Sequence, residues 1–170
     1  MKLTELFLAE LECEAPPTRR TLERVPEGRY EWKPHAKSMT MGYLTTLVAT
    51  MPGWIDMMVN QDQLDIAPQA TSGYKAPQLR TSGELVQALD GAVAKARATL
   101  SATTDEHLMT QWKLLAGGRV MSEQPRYIAI REGVFNHLAH HRGQLTVYLR
   151  LNGVAVPSIY GPSADEGPTH

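Results

Sequence analysis

The feature that most constrains the fold is the run from Arg126 to Gly153, RYIAIREGVFNHLAHHRGQLTVYLRLNG, about 28 residues that no proline interrupts. Pro125 stands just before it, where a missing N–H costs little and a fixed φ favours the first helical turn. Asn152-Gly153 closes it with residues suited to a helix C-terminus. On a wheel of 100° per residue, Ile130, Val134, Leu138, Leu145, Tyr148 and Leu149 share one face. A helix of this length must bury such a face against other helices, and the rest of the chain supplies them.

Residues 3–24 form a first helical stretch with Leu3, Leu6, Phe7 and Leu11 at helical spacing, which Pro16-Pro17 should bend or split. Residues 26–37 read as a loop. Ser38 is the expected cap of a second helix that runs to about Asn60 and is kinked at Pro52. The polar stretch 61–80 reads as a long excursion. Thr81 and Glu84 fit a capping box, opening a third helix through Leu85, Leu89, Val93, Ala96 and Leu100. Thr103 to Glu106 repeats that signature and starts a short helix. Gly117-Gly118 between two apolar runs signals a hairpin. The expected architecture is all-α: one domain over 1–170, a four-helix bundle with long loops and a short β-hairpin before the last helix. Its core spans about 3–153, and 154–170 form an irregular tail.

Composition narrows the function. Seventeen Lys and Arg against eighteen Asp and Glu give a net charge of -1, so no nucleic-acid surface is expected, because phosphate binding needs clustered positive charge. The longest apolar stretch, near residues 47–59, is broken by Pro52, Gly53 and Asp56, so no membrane span is expected. The start lacks a cationic segment followed by a cleavable apolar one, which points to a cytoplasmic protein. A single cysteine, Cys13, excludes an internal disulfide and a Cys-based zinc cluster, and is read as a small core residue.

The last helix carries His137, His140 and His141. His141 falls near the middle of the apolar face, His137 at its edge, and His140 on the flank. Residues i and i+4 stand one turn apart, so two imidazoles there reach one cation at about 2.0–2.1 Å from each nitrogen. Histidines on such a stripe are equally served by hydrogen bonds in an ordinary core, and spacing alone does not separate the two readings.

The segment NHLAHHRGQLTVYLRLNG, followed by PSIYG, closely resembles the final helix of the DinB/YfiT-like superfamily. TRRTLERVP, WKPHAKSMTMGYL and MPGW resemble the first loop and second helix of that family in the same order. The resemblance implies a four-helix bundle, commonly dimeric, that holds a divalent metal with three histidines. Two of those come from the last helix and map onto His137 and His141. The third, from the middle of the second helix, falls at Leu47, which has no lone pair. The resemblance therefore implies a degenerate nickel or zinc site, weak or absent.

Substitutes for the third ligand are few. His35 lies in the loop before the second helix, about 18 Å from Leu47 along a straight helix. His107 reaches the site only by folding back over it. Thr46, Thr50 and Met51 are poor ligands for zinc or nickel, and Asp56 is read as solvated. Gln144 and Tyr148 lie beyond His141 on roughly its side, placed to bond a ligand or an imidazole. Arg142 is read either as an anion binder or as the partner of Glu132 or of a second subunit. Trp32, Trp54 and Trp112 are read as core or dimer anchors.

Relatives implied by the resemblance include thiol-dependent S-transferases and a mycothiol-dependent maleylpyruvate isomerase, whose metal activates a low-molecular-weight thiol. Two functions follow as expectations. One is a metal-dependent transferase or hydrolase working through a metal-bound thiol or water. The other is a non-catalytic dimeric module that binds a small molecule in a pocket enlarged by Leu47.

Overall fold

The structure is a computed structural model that describes residues 2–67 and 77–167. The excursion's residues 68–76 and the end of the tail, 168–170, lie outside the described residues. Four helical rods make the bundle. The first is α1 (Leu3–Glu23), and the second is α2 (Met41–Thr50), a 3-10 turn (Met51–Gly53) and α3 (Trp54–Asn60). The third is α4 (Ser82–Ala102). The fourth is α6 (Arg126–Ile130), a π-helical turn (Arg131–Asn136) and α7 (His137–Leu151). Between the second and third rods lies β1 (Gln63–Asp65); between the third and fourth lie α5 (Asp105–Leu108), β2 (Gln111–Ala116) and β3 (Arg119–Pro125).

Pairs of facing residues fix the directions. Arg19 meets Asp90 and Glu12 meets Arg97, so α1 and α4 are antiparallel. Gly53 lies against Ala92 and Asp56 meets Lys95 at 2.7 Å, so the second rod runs parallel to α4. The Tyr148 hydroxyl reaches the Met39 carbonyl (3.0 Å) while Trp54 meets His137, so α7 runs antiparallel to the second rod. Phe7 stacks on Phe135 and Glu14 meets Arg142, so the fourth rod is parallel to α1. The order is up, down, down, up, and the segment from β1 to Arg80 makes the long crossover. Fully buried Leu11, Leu22, Leu44, Met51, Ile55, Leu89, Leu100, Ile130, Leu145 and Leu149 fill the centre.

Local chemistry explains the ends. Thr81 accepts from the Glu84 amide (3.2 Å) and Glu84 accepts back from Thr81 (3.0 Å), the reciprocal cap expected from the sequence. The second rod is capped by Thr40 rather than Ser38: the Thr40 hydroxyl accepts from the Tyr43 amide at 3.2 Å. The kink expected at Pro52 is the 3-10 turn.

Pro16-Pro17 neither splits nor ends α1. The carbonyls that lose their donors belong to Glu12 and Cys13, both exposed, where water serves instead. The next carbonyl, that of Glu14, accepts from Thr18 Oγ1 (2.7 Å) and Arg142 Nη1 (3.2 Å). Cys13 accordingly is exposed, not in the core.

The hairpin is present, with Gly117 at φ +62 and Gly118 at φ +78, a turn that only glycine adopts without strain. Asp65 accepts both their amides, at 2.9 and 2.7 Å, and β1 pairs in parallel with β2. The expected excursion over 61–80 thus begins with a short strand ordered against the hairpin. Three residues carry no detectable periodicity, and their pairing partner is about fifty residues away. Buried Arg126 anchors the same corner, reaching Asp62 Oδ1 (2.5 Å), the Gln111 carbonyl (2.6 Å) and Thr110 Oγ1 (2.8 Å). Among the described residues no helix is long and apolar enough to cross a membrane.

Candidate metal centre

The fourth rod changes character just before its histidines. Over Arg131–Asn136 the helix widens to π geometry, in which each amide reaches five residues back. The widening shifts every later side chain relative to a uniform wheel, so His137 and His141 take their directions from this turn. Gly133 lies within it, and a Cβ there would stand 2.8 Å from Met58 Cε. That missing side chain lets α3 lie close against the turn. Trp54, at the start of α3, then packs its indole 5.9 Å from the His137 ring.

His137 Nε2 and His141 Nε2 are 2.8 Å apart. His141 Nδ1 stands 2.7 Å from Gln144 Oε1, an oxygen that only accepts. The ring proton of His141 therefore sits on Nδ1, and its Nε2 is a bare lone pair facing His137. In the protein alone, His137 Nε2–H donates to that lone pair. A cation at about 2.0–2.1 Å from both nitrogens would hold them about 2.9 Å apart at the right angle of an octahedral site and about 3.4 Å apart at a tetrahedral angle, so the 2.8 Å pair stands at the octahedral spacing and would open by about half an ångström for zinc.

Burial is the main cause that holds the His141 pKa below the ordinary imidazole value; the Gln144 bond opposes it, and His137 and His140 add to it. The neutral form that a metal ligand requires is thus the favoured one.

Leu47, where the family resemblance would put a third ligand, carries no donor atom. Leu47 lies half-buried against the core, two turns before Trp54 on the same side of the second rod. Thr46 Oγ1 is buried without a partner among the described residues, while Thr50 Oγ1 donates back to the Thr46 carbonyl (2.8 Å). No group of three His, Cys, Asp or Glu is gathered for a metal among the described residues. A two-nitrogen chelate fits this site, and a three-ligand protein cage does not.

Other candidates take different places. Arg142 is 1% exposed and points away from the pair into α1. There it meets Glu14 Oε2 (2.6 Å), Thr18 Oγ1 (2.8 Å) and the Tyr160 hydroxyl (2.6 Å). Its acid partner is Glu14, not Glu132, which accepts from Gln124 instead. Tyr148 spends its hydroxyl on the Met39 carbonyl and packs edge-on against Trp32, so it holds the loop before α2 rather than a ligand. His107 does not fold over the site; its Nε2 lies 2.8 Å from the Val59 carbonyl. His35 is exposed and accepts from the Lys37 amide. Asp56, expected to be solvated, is paired with Lys95 and bonded to Thr99 and Asn60 (both 2.8 Å). Trp112 is buried in the core beside the sheet.

The sequence spacing puts His137, His141 and Gln144 on neighbouring turns, where they stand, but carries neither the π turn nor the Trp54 contact. A glycine inside an apolar helical stretch, Gly133, was the available signal.

The model of the DinB family matches residues 1–168. The chain belongs to the DinB family. A DinB-like protein from Bacillus cereus ATCC 10987 is similar in fold, with a TM-score of 0.70, 22% identity, and coverage of 92% of this chain and 97% of that one. The DinB-like protein YjoA from Bacillus subtilis gives 0.67 and 18%, covering 91% and 97%. Those likenesses establish the fold. The uncharacterized protein YrdA of Bacillus subtilis strain 168 is 52% identical over 33 residues, which span 19% of this chain and 20% of YrdA.

Proposed function

We propose that His137 and His141 form an open chelate for a divalent cation, nickel or zinc, whose other positions are left to water and an incoming ligand. The observation that carries this reading is the 2.8 Å approach of the two Nε2 atoms, with Gln144 fixing the tautomer of one of them. Each side chain has a role. Gln144 holds the proton on His141 Nδ1 and so presents a bare Nε2. His137 would give its Nε2 once it leaves the shared hydrogen bond and its ring proton moves, through solvent, from Nε2 to Nδ1. Trp54 covers one side of the His137 ring, and Leu47 leaves free the place where a third protein donor would stand. A cation bound there supplies Lewis acidity, lowering the pKa of a coordinated thiol or water.

With only two protein donors the affinity is modest, and a ligand that brings its own donor tightens it. A low-molecular-weight thiol in the cytoplasm, where thiols stay reduced, is the ligand class that fits best. The reaction class is thiol-dependent transfer. A homodimer is part of the proposal, supported by exposed Val147 and Leu151 one turn apart on α7 and by exposed Tyr43 on α2.

Leu47 favours the second reading, a non-catalytic pocket in which the imidazoles are polar anchors for an organic ligand. Elemental analysis of untagged protein purified without chelator, beside His141→Ala, separates the two. Nickel or zinc approaching one per chain, lost in the variant, supports the chelate. Metal far below that in both samples, even after zinc is supplied, overturns it in favour of the pocket.

A further inference from the structure

Seven of the eleven arginines lie against a carboxylate: Arg19, Arg24, Arg97, Arg126, Arg131, Arg142 and Arg150. Arg20 donates instead to the Ser158 carbonyl (3.0 Å). Of the three left, two line the same pocket. Arg29 and Arg80 border a cavity of about 490 Å³ with Gly28, Tyr30, Glu31 and Trp32, at the end of the bundle where α2 and α4 begin. Among the described residues neither guanidinium forms an ion pair; the carboxylate beside Arg80, that of Glu84, accepts from the Arg80 amide (2.8 Å) and from Thr81 rather than from the guanidinium, and residues 68–76 contain no Asp or Glu. In a chain that pairs most of its arginines, these two exposed cations line one cavity without an ion-pair partner among the described residues, so an anion bound there would meet both.

The walls are held in place. Tyr30 lies so close to α2 that a Cβ on Gly42 would fall 2.2 Å from its ring, so only glycine permits this packing. The Arg80 guanidinium sits over the Tyr30 ring, 4.9 Å from its centroid. One of its nitrogens donates to Gln78 Oε1 (3.0 Å), its one side-chain hydrogen bond among the described residues. Trp32 is fixed edge-on against Tyr148, with ring centroids 5.4 Å apart. Glu31 stands in the same wall and makes no ion pair with either arginine among the described residues.

We propose that this pocket binds a planar organic monoanion, an aromatic carboxylate in its simplest form. The carboxylate takes the free edges of Arg80 and Arg29, and the ring packs against Tyr30 and Trp32. Glu31 sets the preference for one charge over two. The site is separate from the histidine pair and does not depend on a metal.

The test is saturation-transfer NMR and calorimetric titration of the full-length, chelator-treated protein with salicylate, using salicyl alcohol and inorganic phosphate as comparisons. Saturable salicylate binding is expected, with no binding of the neutral alcohol and weaker binding of phosphate. Arg80→Ala should weaken salicylate about tenfold or more, the scale of one charged hydrogen bond. Glu31→Gln should leave salicylate binding intact and strengthen phosphate binding. His141→Ala should change neither. Circular dichroism of each variant confirms the fold. Absence of saturable salicylate binding overturns the proposal, as does equal binding by parent and the Arg29→Ala/Arg80→Ala double variant. Phosphate bound more tightly than salicylate by the parent overturns the planar-monoanion assignment.

Discussion

His141 and Arg142 are neighbours on α7, both buried, and they differ in how fully their polar atoms are used. Arg142 points into α1 and finds a carboxylate, a carbonyl and two hydroxyls. His141 points toward the second rod and has one fixed partner, Gln144, while its other nitrogen faces a second imidazole. A saturated polar group stabilises a fold. A group whose partner is another donor-or-acceptor nitrogen can be displaced from it by a ligand. The contrast separates structure from function one residue apart.

Breaking the saturated side should have the largest effect on folding. Arg142→Ala leaves the Glu14 carboxylate buried without its cation and should cost about 3 kcal/mol, read from the urea midpoint. A loss under about 1 kcal/mol would show that the network carries little of the stability. On the open side, Leu47→His should add the missing donor and raise zinc affinity at least about tenfold, with stability little changed. If calorimetry gives the same affinity as the parent, position 47 does not face the pair.

Gln144→Leu removes the acceptor that fixes the tautomer. Zinc affinity should fall roughly tenfold, and urea unfolding should barely move. A large loss of stability instead would make Gln144 part of the saturated class. The smallest effect concerns pH in metal-free protein. Burial lowers the His141 pKa in the folded state, so the native form binds fewer protons there than the unfolded chain. Its contribution is present above the ordinary imidazole pKa of about 6.5 and is lost as pH falls through the lower folded value. His141→Gln should therefore flatten the decline of stability below about pH 6.5. An unchanged slope would assign that decline to other groups.

The sequence carried the parts of the molecule that local chemistry decides. Thr81 with Glu84, Gly117-Gly118 and the spacing of His137 and His141 are short-range signals, and each meets its expected structure. What it did not carry depends on distant partners. Pro16-Pro17 argues for a bent or split helix; α1 is not split, and its Glu14 carbonyl is bonded to Arg142 on the fourth rod. The strand Gln63–Asp65 exists because Asp65 holds the hairpin glycines. The π turn exists where Gly133 admits Met58, a contact between the second and fourth rods. Arg142 has Glu132 on its own rod, but the bundle offers it Glu14.

The most direct test of the open pair is to follow the imidazole nitrogens by NMR while zinc is added to chelator-treated protein. The account predicts that His141 begins as the Nδ1–H tautomer and keeps that proton. The Nε2 resonances of His137 and His141 should then shift together, reaching an end point near one zinc per chain, while those of His35 and His107 stay in place. Nε2 signals of the pair that remain unmoved at excess zinc, or a His141 proton found on Nε2, would contradict it.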